Sequence, residues 1–246
     1  MKVAVISDIH ANLPALETVL AAIDEAGVDQ IWCLGDAVGY GADPVPCIDL
    51  LADRCEVCLA GNHDLAVLDR IELSTFSPSA AAAVVWTRGN LGDDGLSRLA
   101  ALVGEAADER EGIGLYHGSP RDPVWEYVIE PGQAEDCLDI QPQRVALVGH
   151  SHVAVYFIRI DELARVSSVL APDGTEAKMD AGRWLVNPGS VGQPRDGDPR
   201  AAWMELETGS MRARFHRVGY PVDAAAEAIR KAGLPDHLAD RLHQGH

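Results

Sequence analysis

The sequence predicts an α/β fold in which one sheet with a parallel start carries a second sheet packed against it. Three observations lead there. Residues 1–60 read β-α-β-α-β, the alternation of a parallel sheet with helical crossovers. After His152 the pattern turns to short strands separated by turn-like segments. Five short apolar runs each stop at once in a polar, ligand-type residue, as buried strands do when their carboxyl ends share a crevice.

The elements follow in order. Val3-Ala4-Val5-Ile6 runs into Ser7, Asp8 and His10. Leu13, Leu16, Leu20 and Ile23 then repeat at 3-4-3 spacing, one apolar stripe of a helix that Gly27 stops. Ile31-Trp32-Cys33-Leu34 is the second strand and ends at Gly35-Asp36. Asp43-Pro44 reads as N-cap and first position of a helix near 44–52. Val57-Cys58-Leu59-Ala60 runs into Gly61-Asn62-His63-Asp64. Residues 64–104 break the alternation with a helical insertion that is placed to cap the crevice. Ser77-Pro78 opens its Ala-rich first helix to about Arg88, and a second is expected over Asp93–Val103. Ile113-Gly114-Leu115-Tyr116 runs into His117, and Val145-Ala146-Leu147-Val148 into Gly149-His150-Ser151-His152.

Strands are then expected at Val153–Ile160, Arg165–Leu170, Trp184–Asn187, Ala201–Leu206 and Met211–Val218, with Pro172-Asp173-Gly174 as a turn. They are expected to form the second sheet. One or two helices follow Pro221. No repeat or low-complexity linker divides the chain, so residues 1–246 read as one domain.

One sheet edge would thus gather Asp8, His10, Asp36, Asn62, His117, His150 and His152. Seven ligands exceed what one four-coordinate ion uses. Nitrogen and oxygen donors without thiolate suit Mn, Fe, Zn, Co or Ni, with Mn preferred. Two ions about 3.5–4 Å apart suit displacement at phosphorus. Asn62 ligates without adding charge, which leaves positive potential for an anionic substrate.

The set Asp8-x-His10, Gly35-Asp36, Gly61-Asn62-His63-Asp64, His117 and Gly149-His150-x-His152 resembles the five motifs of the calcineurin-like metallophosphoesterase superfamily, in order and approximate spacing. Asn187-Pro188-Gly189-Ser190 extends the likeness to its bacterial and archaeal phosphodiesterase branch. The resemblance implies two face-to-face mixed sheets flanked by helices, a four-layer sandwich. It implies one ion on Asp8, His10, Asp36 and His152, and another on Asp36, Asn62, His117 and His150. His63 would be the acid beside the leaving group, and a metal-bridging hydroxide would attack phosphorus in line.

Two positions depart from the pattern. Tyr40 stands where the protein phosphatases and the diadenosine polyphosphate hydrolases carry a phosphate-gripping Arg. Gly39 stands where the phosphatases carry an Asp that orients the catalytic His, which leaves the partner of His63 open. With fewer cations for a dianion, phosphodiesters or nucleotide phosphoanhydrides are the expected substrates. The alternatives are a phosphomonoesterase, protein phosphatase included, and a protein-binding scaffold without catalysis.

Arg195 is a candidate phosphate clamp, with a solvated loop charge as the competing reading, and Arg121 has a weaker claim. Asn187–Ser190 reads equally as a turn or a substrate edge. The five Trp read as core or interface residues, and His216, His237, His243 and His246 as surface residues.

Composition sets the remaining limits. A net charge of −18 opposes non-specific binding to a nucleic-acid backbone but not a small phosphorylated substrate held by metals. No apolar run is long enough for a membrane span, and no secretory pattern precedes the first strand, so a cytoplasmic location is expected. Five irregularly spaced Cys fit reduced core thiols, Cys55-x-x-Cys58 included. Oligomeric state leaves no mark in the sequence.

Overall fold

A computed structural model describes residues 1–246. Twelve strands and seven α-helices make up the chain. In order they are β1 (Lys2–Ile6), α1 (Leu13–Ala26), β2 (Gln30–Cys33), α2 (Pro44–Arg54), β3 (Val57–Cys58), α3 (Asn62–Val67) and α4 (Pro78–Leu102). There follow β4 (Ala107–Arg110), β5 (Ile113–Tyr116), α5 (Pro131–Ile140), β6 (Val145–Val148), β7 (Ala154–Arg159) and β8 (Ser167–Leu170). The chain closes with β9 (Glu176–Lys178), β10 (Arg183–Pro188), β11 (Ala201–Glu207), β12 (Arg212–Val218), α6 (Val222–Lys231) and α7 (Asp236–Gln244).

Two six-stranded sheets result, in the orders β3-β2-β1-β11-β12-β9 and β4-β5-β6-β10-β7-β8. Both are mixed. In the first, β1 pairs parallel with β2 and antiparallel with β11. In the second, β10 pairs parallel with β6 and antiparallel with β7.

The side-chain alternation of strands explains the layers. Ala4, Ile6, Ile31 and Cys33 face a core shared with the helices, including Leu16, Leu20 and Ile23 of α1. Val3, Val5, Trp32 and Leu34 point the other way and meet Ile113, Leu115, Val145 and Leu147 of the second sheet. Ala146, Val148 and Leu185 then pack on Ala134, Cys137 and Leu138 of α5. Strands buried on both faces therefore read as unbroken apolar runs.

The local signals perform as expected at α1, where Asn12 caps Ala15 N–H at 3.2 Å and Gly27 ends the helix at φ 65°. Asp43 does precede α2, but its side chain makes no capping hydrogen bond. The insertion is α3 and a long α4 broken at Gly92, whose φ of 58° separates the two expected helices.

Two expectations need correction. The five motif strands do not share one sheet edge: β1–β3 lie in the first sheet, and β5 and β6 in the second. Nor do the late strands form the second sheet alone. β9, β11 and β12 complete the first, because β11 lies antiparallel against β1. Pairing between strands 200 residues apart leaves no local trace. The pattern also overlooked β4, β9 and α5, whose polar residues dilute any periodicity.

Candidate metal centre

Loops leaving both sheets converge on one buried cluster. Asp8, His10 and Asp36 leave β1 and β2, and Asn62 opens α3 just beyond β3. His117, His150 and His152 leave β5 and β6. All seven are buried. Asp8, His10, Asp36, His150 and His152 adopt left-handed backbone, with φ between 50° and 63°. Each such residue costs on the order of 1–3 kcal/mol and persists only where its surroundings over-determine it. The strained turns swing each side chain from the strand end into the crevice.

The donors fall into two groups. In one, His10 Nε2 lies 3.0 Å from His152 Nε2, and His152 Nε2 lies 3.3 Å from Asp8 Oδ1. In the other, His117 Nε2 lies 3.2 Å from both Asn62 Oδ1 and His150 Nδ1. Asp36 Oδ2 joins them, 3.6 Å from His10 Nε2 and 3.6 Å from His117 Nε2. Ligands held at about 2.1 Å from an ion stand roughly 3.0–3.4 Å from one another. The spacings fit two adjoining ions.

Tautomers strengthen the case. His10 Nδ1 donates to Val38 O at 3.1 Å, His117 Nδ1 to Leu34 O at 2.9 Å and His152 Nδ1 to Gln193 O at 2.6 Å. A carbonyl only accepts, so each ring donates through Nδ1 and is left with Nε2 turned inward as the atom available to a metal. Lone pairs and carboxylate oxygens facing one another at 3 Å repel unless a cation lies between them. Asp36 Oδ2 is buried without a hydrogen-bond partner, while its Oδ1 accepts His63 N–H at 2.9 Å. Burial pushes the Asp8 carboxyl up to about 7 and raises that of Asp36, and it lowers His10, His150 and His152. A cation reverses the carboxylate shifts by favouring the charged form.

His63 lies beside the cluster, its ring 5.0 Å from that of His10. Its Nδ1 is buried and unpartnered, and burial pushes the imidazole down to about 3. Gly39 explains the missing partner. At φ +93°, its Cβ would sit 2.4 Å from His63 Nδ1, so a side chain has no room there. Asp64 does not take the role. Its carboxylate accepts backbone N–H groups from Gly61 at 3.0 Å, Val38 at 3.1 Å and Ala37 at 3.2 Å.

Arg195 reaches the same mouth. Its guanidinium lies 5.8 Å from the Tyr40 ring centre and is tethered to Gln193 Oε1 at 2.8 Å. No carboxylate pairs with it. Arg121 instead pairs with Glu126 at 3.1 Å and with Asp136. Asn187–Ser190 is an internal brace. Asn187 donates to Gly149 O at 2.7 Å and Ser151 Oγ at 2.9 Å, and Ser190 donates to Asp8 O at 2.8 Å. It thereby ties the loop after β1 to the loop after β6.

The sequence reading missed the bracing by Asp64 and Asn187, and an aromatic rim of Phe76, Trp125 and Tyr127. In the sequence Trp125 reads only as a core or interface residue, and Phe76 and Tyr127 stand in no motif. His216 is not a surface residue either: it is half-buried and stacks on Trp203 at 4.2 Å.

Residues 1–209 match the model of the calcineurin-like phosphoesterase superfamily domain. The chain belongs to that superfamily. An uncharacterized protein of Methanocaldococcus jannaschii is 36% identical over 246 residues, covering 99% of this chain and 98% of that one. The crystal structure of a metallophosphoesterase from Sphaerobacter thermophilus is 39% identical, with a TM-score of 0.89, covering 100% and 99% of the two chains. A hypothetical protein of Pyrococcus horikoshii shares the fold at a TM-score of 0.76 and 21% identity, over 100% of this chain and 98% of that one. This calcineurin-like phosphoesterase is thus a phosphoester hydrolase by family, with a clustered Asp/His site that suits two metals. No helix is long and apolar enough to cross a membrane.

Proposed function

We propose that this calcineurin-like phosphoesterase cleaves phosphodiesters or nucleotide phosphoanhydrides, using two divalent ions, preferably Mn. One observation supports the reading most: the partnerless, buried Asp36 Oδ2, set 3.6 Å from a histidine of each group. Asp8, His10, Asp36 and His152 would hold one ion, and Asp36, Asn62, His117 and His150 the other. When bound, the pair lowers the pKa of water and neutralises charge on the attacked phosphate.

The remaining work falls to side chains. Arg195 grips a non-bridging phosphate oxygen, because its guanidinium faces the site with no carboxylate to occupy it. His63 donates a proton to the departing oxygen. Burial, with the Arg195 charge and His117 nearby, holds its imidazole down at about 3, and a bound phosphate anion opposes that shift. Tyr40, packed 4.4 Å from His63, fixes the ring in place of the absent Asp partner. The substrate is small and phosphorylated. Five unpaired thiols fit a cytoplasmic setting.

A phosphomonoesterase is the second reading, and Arg195 is the observation in its favour, since it returns a guanidinium beside Tyr40. One such cation matches the single charge of a diester better than a dianion. Turnover of bis(p-nitrophenyl) phosphate and p-nitrophenyl phosphate, each with Mn²⁺ or Mg²⁺ after chelation, decides between them. The expected result is diester preference, Mn²⁺ above Mg²⁺, and loss of both bound metal and turnover in Asp36→Asn. Monoester preference would leave the phosphatase reading standing. Two bound ions with no turnover of either ester would leave the scaffold.

A further inference from the structure

Aromatic residues make up only 5% of this chain, yet four of them ring the metal centre. Tyr40 lies 4.7 Å from His10 and 4.4 Å from His63. Phe76 meets the far side of His63 edge to face, at 5.2 Å and 87°. Trp125 meets Phe76 at 5.1 Å and 71°. Tyr127 stacks on His150 at 3.9 Å and 27° and remains 40% exposed. These rings come from three segments. Tyr40 follows β2, Phe76 lies in the insertion between α3 and α4, and Trp125 and Tyr127 lie between β5 and α5.

We propose that Phe76, Trp125 and Tyr127 form a stacking platform for a planar base carried by the substrate, which makes nucleotides the preferred class. The proposal rests on the phosphoesterase reading and narrows its substrate. The geometry argues for the departing side. Phe76 lies 5.2 Å from His63, the group assigned to the departing oxygen, and Trp125 lies 5.1 Å from Phe76, so the rings stand where a ribose could carry a base.

The platform is built before any ligand arrives. Within the segment that carries Trp125 and Tyr127, Gly118 N–H donates to Pro123 O at 2.7 Å, and Ser119 Oγ accepts Arg121 and Asp122 N–H at 3.0 Å. Asp122 Oδ1 accepts Val124 N–H at 3.1 Å and Trp125 N–H at 3.0 Å. A Cβ on Gly118 would meet Asp122 O at 2.6 Å, so the turn is closed tightly. Rings fixed in advance lose little freedom on binding. Glu126, the acidic residue between Trp125 and Tyr127 in the chain, is occupied by Ser119 and Arg121. Recognition therefore goes through the ring face, which every base has, and purines should gain more than pyrimidines through their larger area.

Two measurements test this on the full chain. The first is the ratio of kcat/KM for an adenosine-bearing diester to that for a glycerol-bearing diester. Trp125→Ala and Tyr127→Ala should each lower this ratio by about 5- to 100-fold, the range that loss of one base–aromatic stack produces. Trp125→Phe, which keeps a ring, should restore most of it. The second is calorimetric affinity for adenosine 5′-monophosphate against glycerol phosphate in His63→Ala loaded with Mn²⁺, which needs no turnover. Adenosine monophosphate should bind more tightly, and adding Trp125→Ala should erase the difference. Equal affinities, or equal losses for both diesters in the ring variants, would overturn the platform while leaving phosphoester hydrolysis intact. Absence of hydrolysis for every phosphoester would instead remove the phosphoesterase reading, and the affinities would still judge the platform.

Discussion

His63 has an unusual setting for the proton-donor role proposed for it. Its Nδ1 finds no acceptor, because Gly39 brings bare backbone where a carboxylate would have to stand. Its backbone N–H is fixed by Asp36 Oδ1 at 2.9 Å, and aromatic rings enclose the imidazole. Position is thus secured by packing instead of by a charged partner. An acid matters most for a poor leaving group, whose charge needs a proton in the transition state. His63→Ala is therefore expected to keep both metals and to slow an alkyl or nucleoside diester by about 10²–10⁴-fold, but a nitrophenyl diester far less. Values of kcat/KM for both substrates, with metal content checked, provide the test. Equal losses would assign His63 to positioning or phosphate binding.

At the scale of elements, α3 is only six residues long, and the side chain of Asp64 ties its first turn to the loop after β2. Asp64 gathers three backbone N–H groups, from Gly61 in its own cap and from Ala37 and Val38 in the loop after β2. That one carboxylate locks the Asp36 loop to the turn that presents Asn62. Asp64→Ala strands three buried donors, so a loss of roughly 3 kcal/mol in stability is expected. Metal affinity should fall with it, because two ligand-bearing loops lose their common anchor. Urea unfolding of wild type and variant, with metal content alongside, measures both. A change below about 0.5 kcal/mol, the size of an ordinary surface substitution, would mean that the contacts do not hold the loops. Asp64 was visible in the sequence only as a neighbour of His63. Which way its carboxylate turns depends on a loop 27 residues earlier in the chain, and no local pattern encodes that.

Across the whole molecule, each donor group draws on both sheets. His152 joins Asp8, His10 and Asp36, while His117 and His150 join Asp36 and Asn62. Ions held there would clamp the sheets together at the end where their loops meet, reinforcing the apolar layer between them. A ligand that binds only the folded state adds about 2.7 kcal/mol at one hundred times its Kd. For a chain of this size that corresponds to roughly 5–10 °C in Tm. Mn²⁺ should raise Tm by that order, chelation should reverse it, and unfolding should stay a single cooperative transition across residues 1–246. An unchanged Tm with two ions bound per chain, or two separate transitions, would refute the clamp.

The sequence by itself determined the strand ends, the helical stripe of α1 and the seven residues now found within one crevice. These signals are local: a buried strand needs consecutive apolar residues, and a ligand must lie just beyond its end. The tertiary structure alone decided how the strands divide between two sheets, since β11 pairs with β1 across nearly the whole chain. It also decided that Asp64 and Asn187 brace loops, that Arg195 faces the site over Tyr40, and that Phe76 meets Trp125. Those contacts join residues far apart in sequence. They depend on which segments the packed layers bring side by side, and that is set only when both faces of each sheet have been buried.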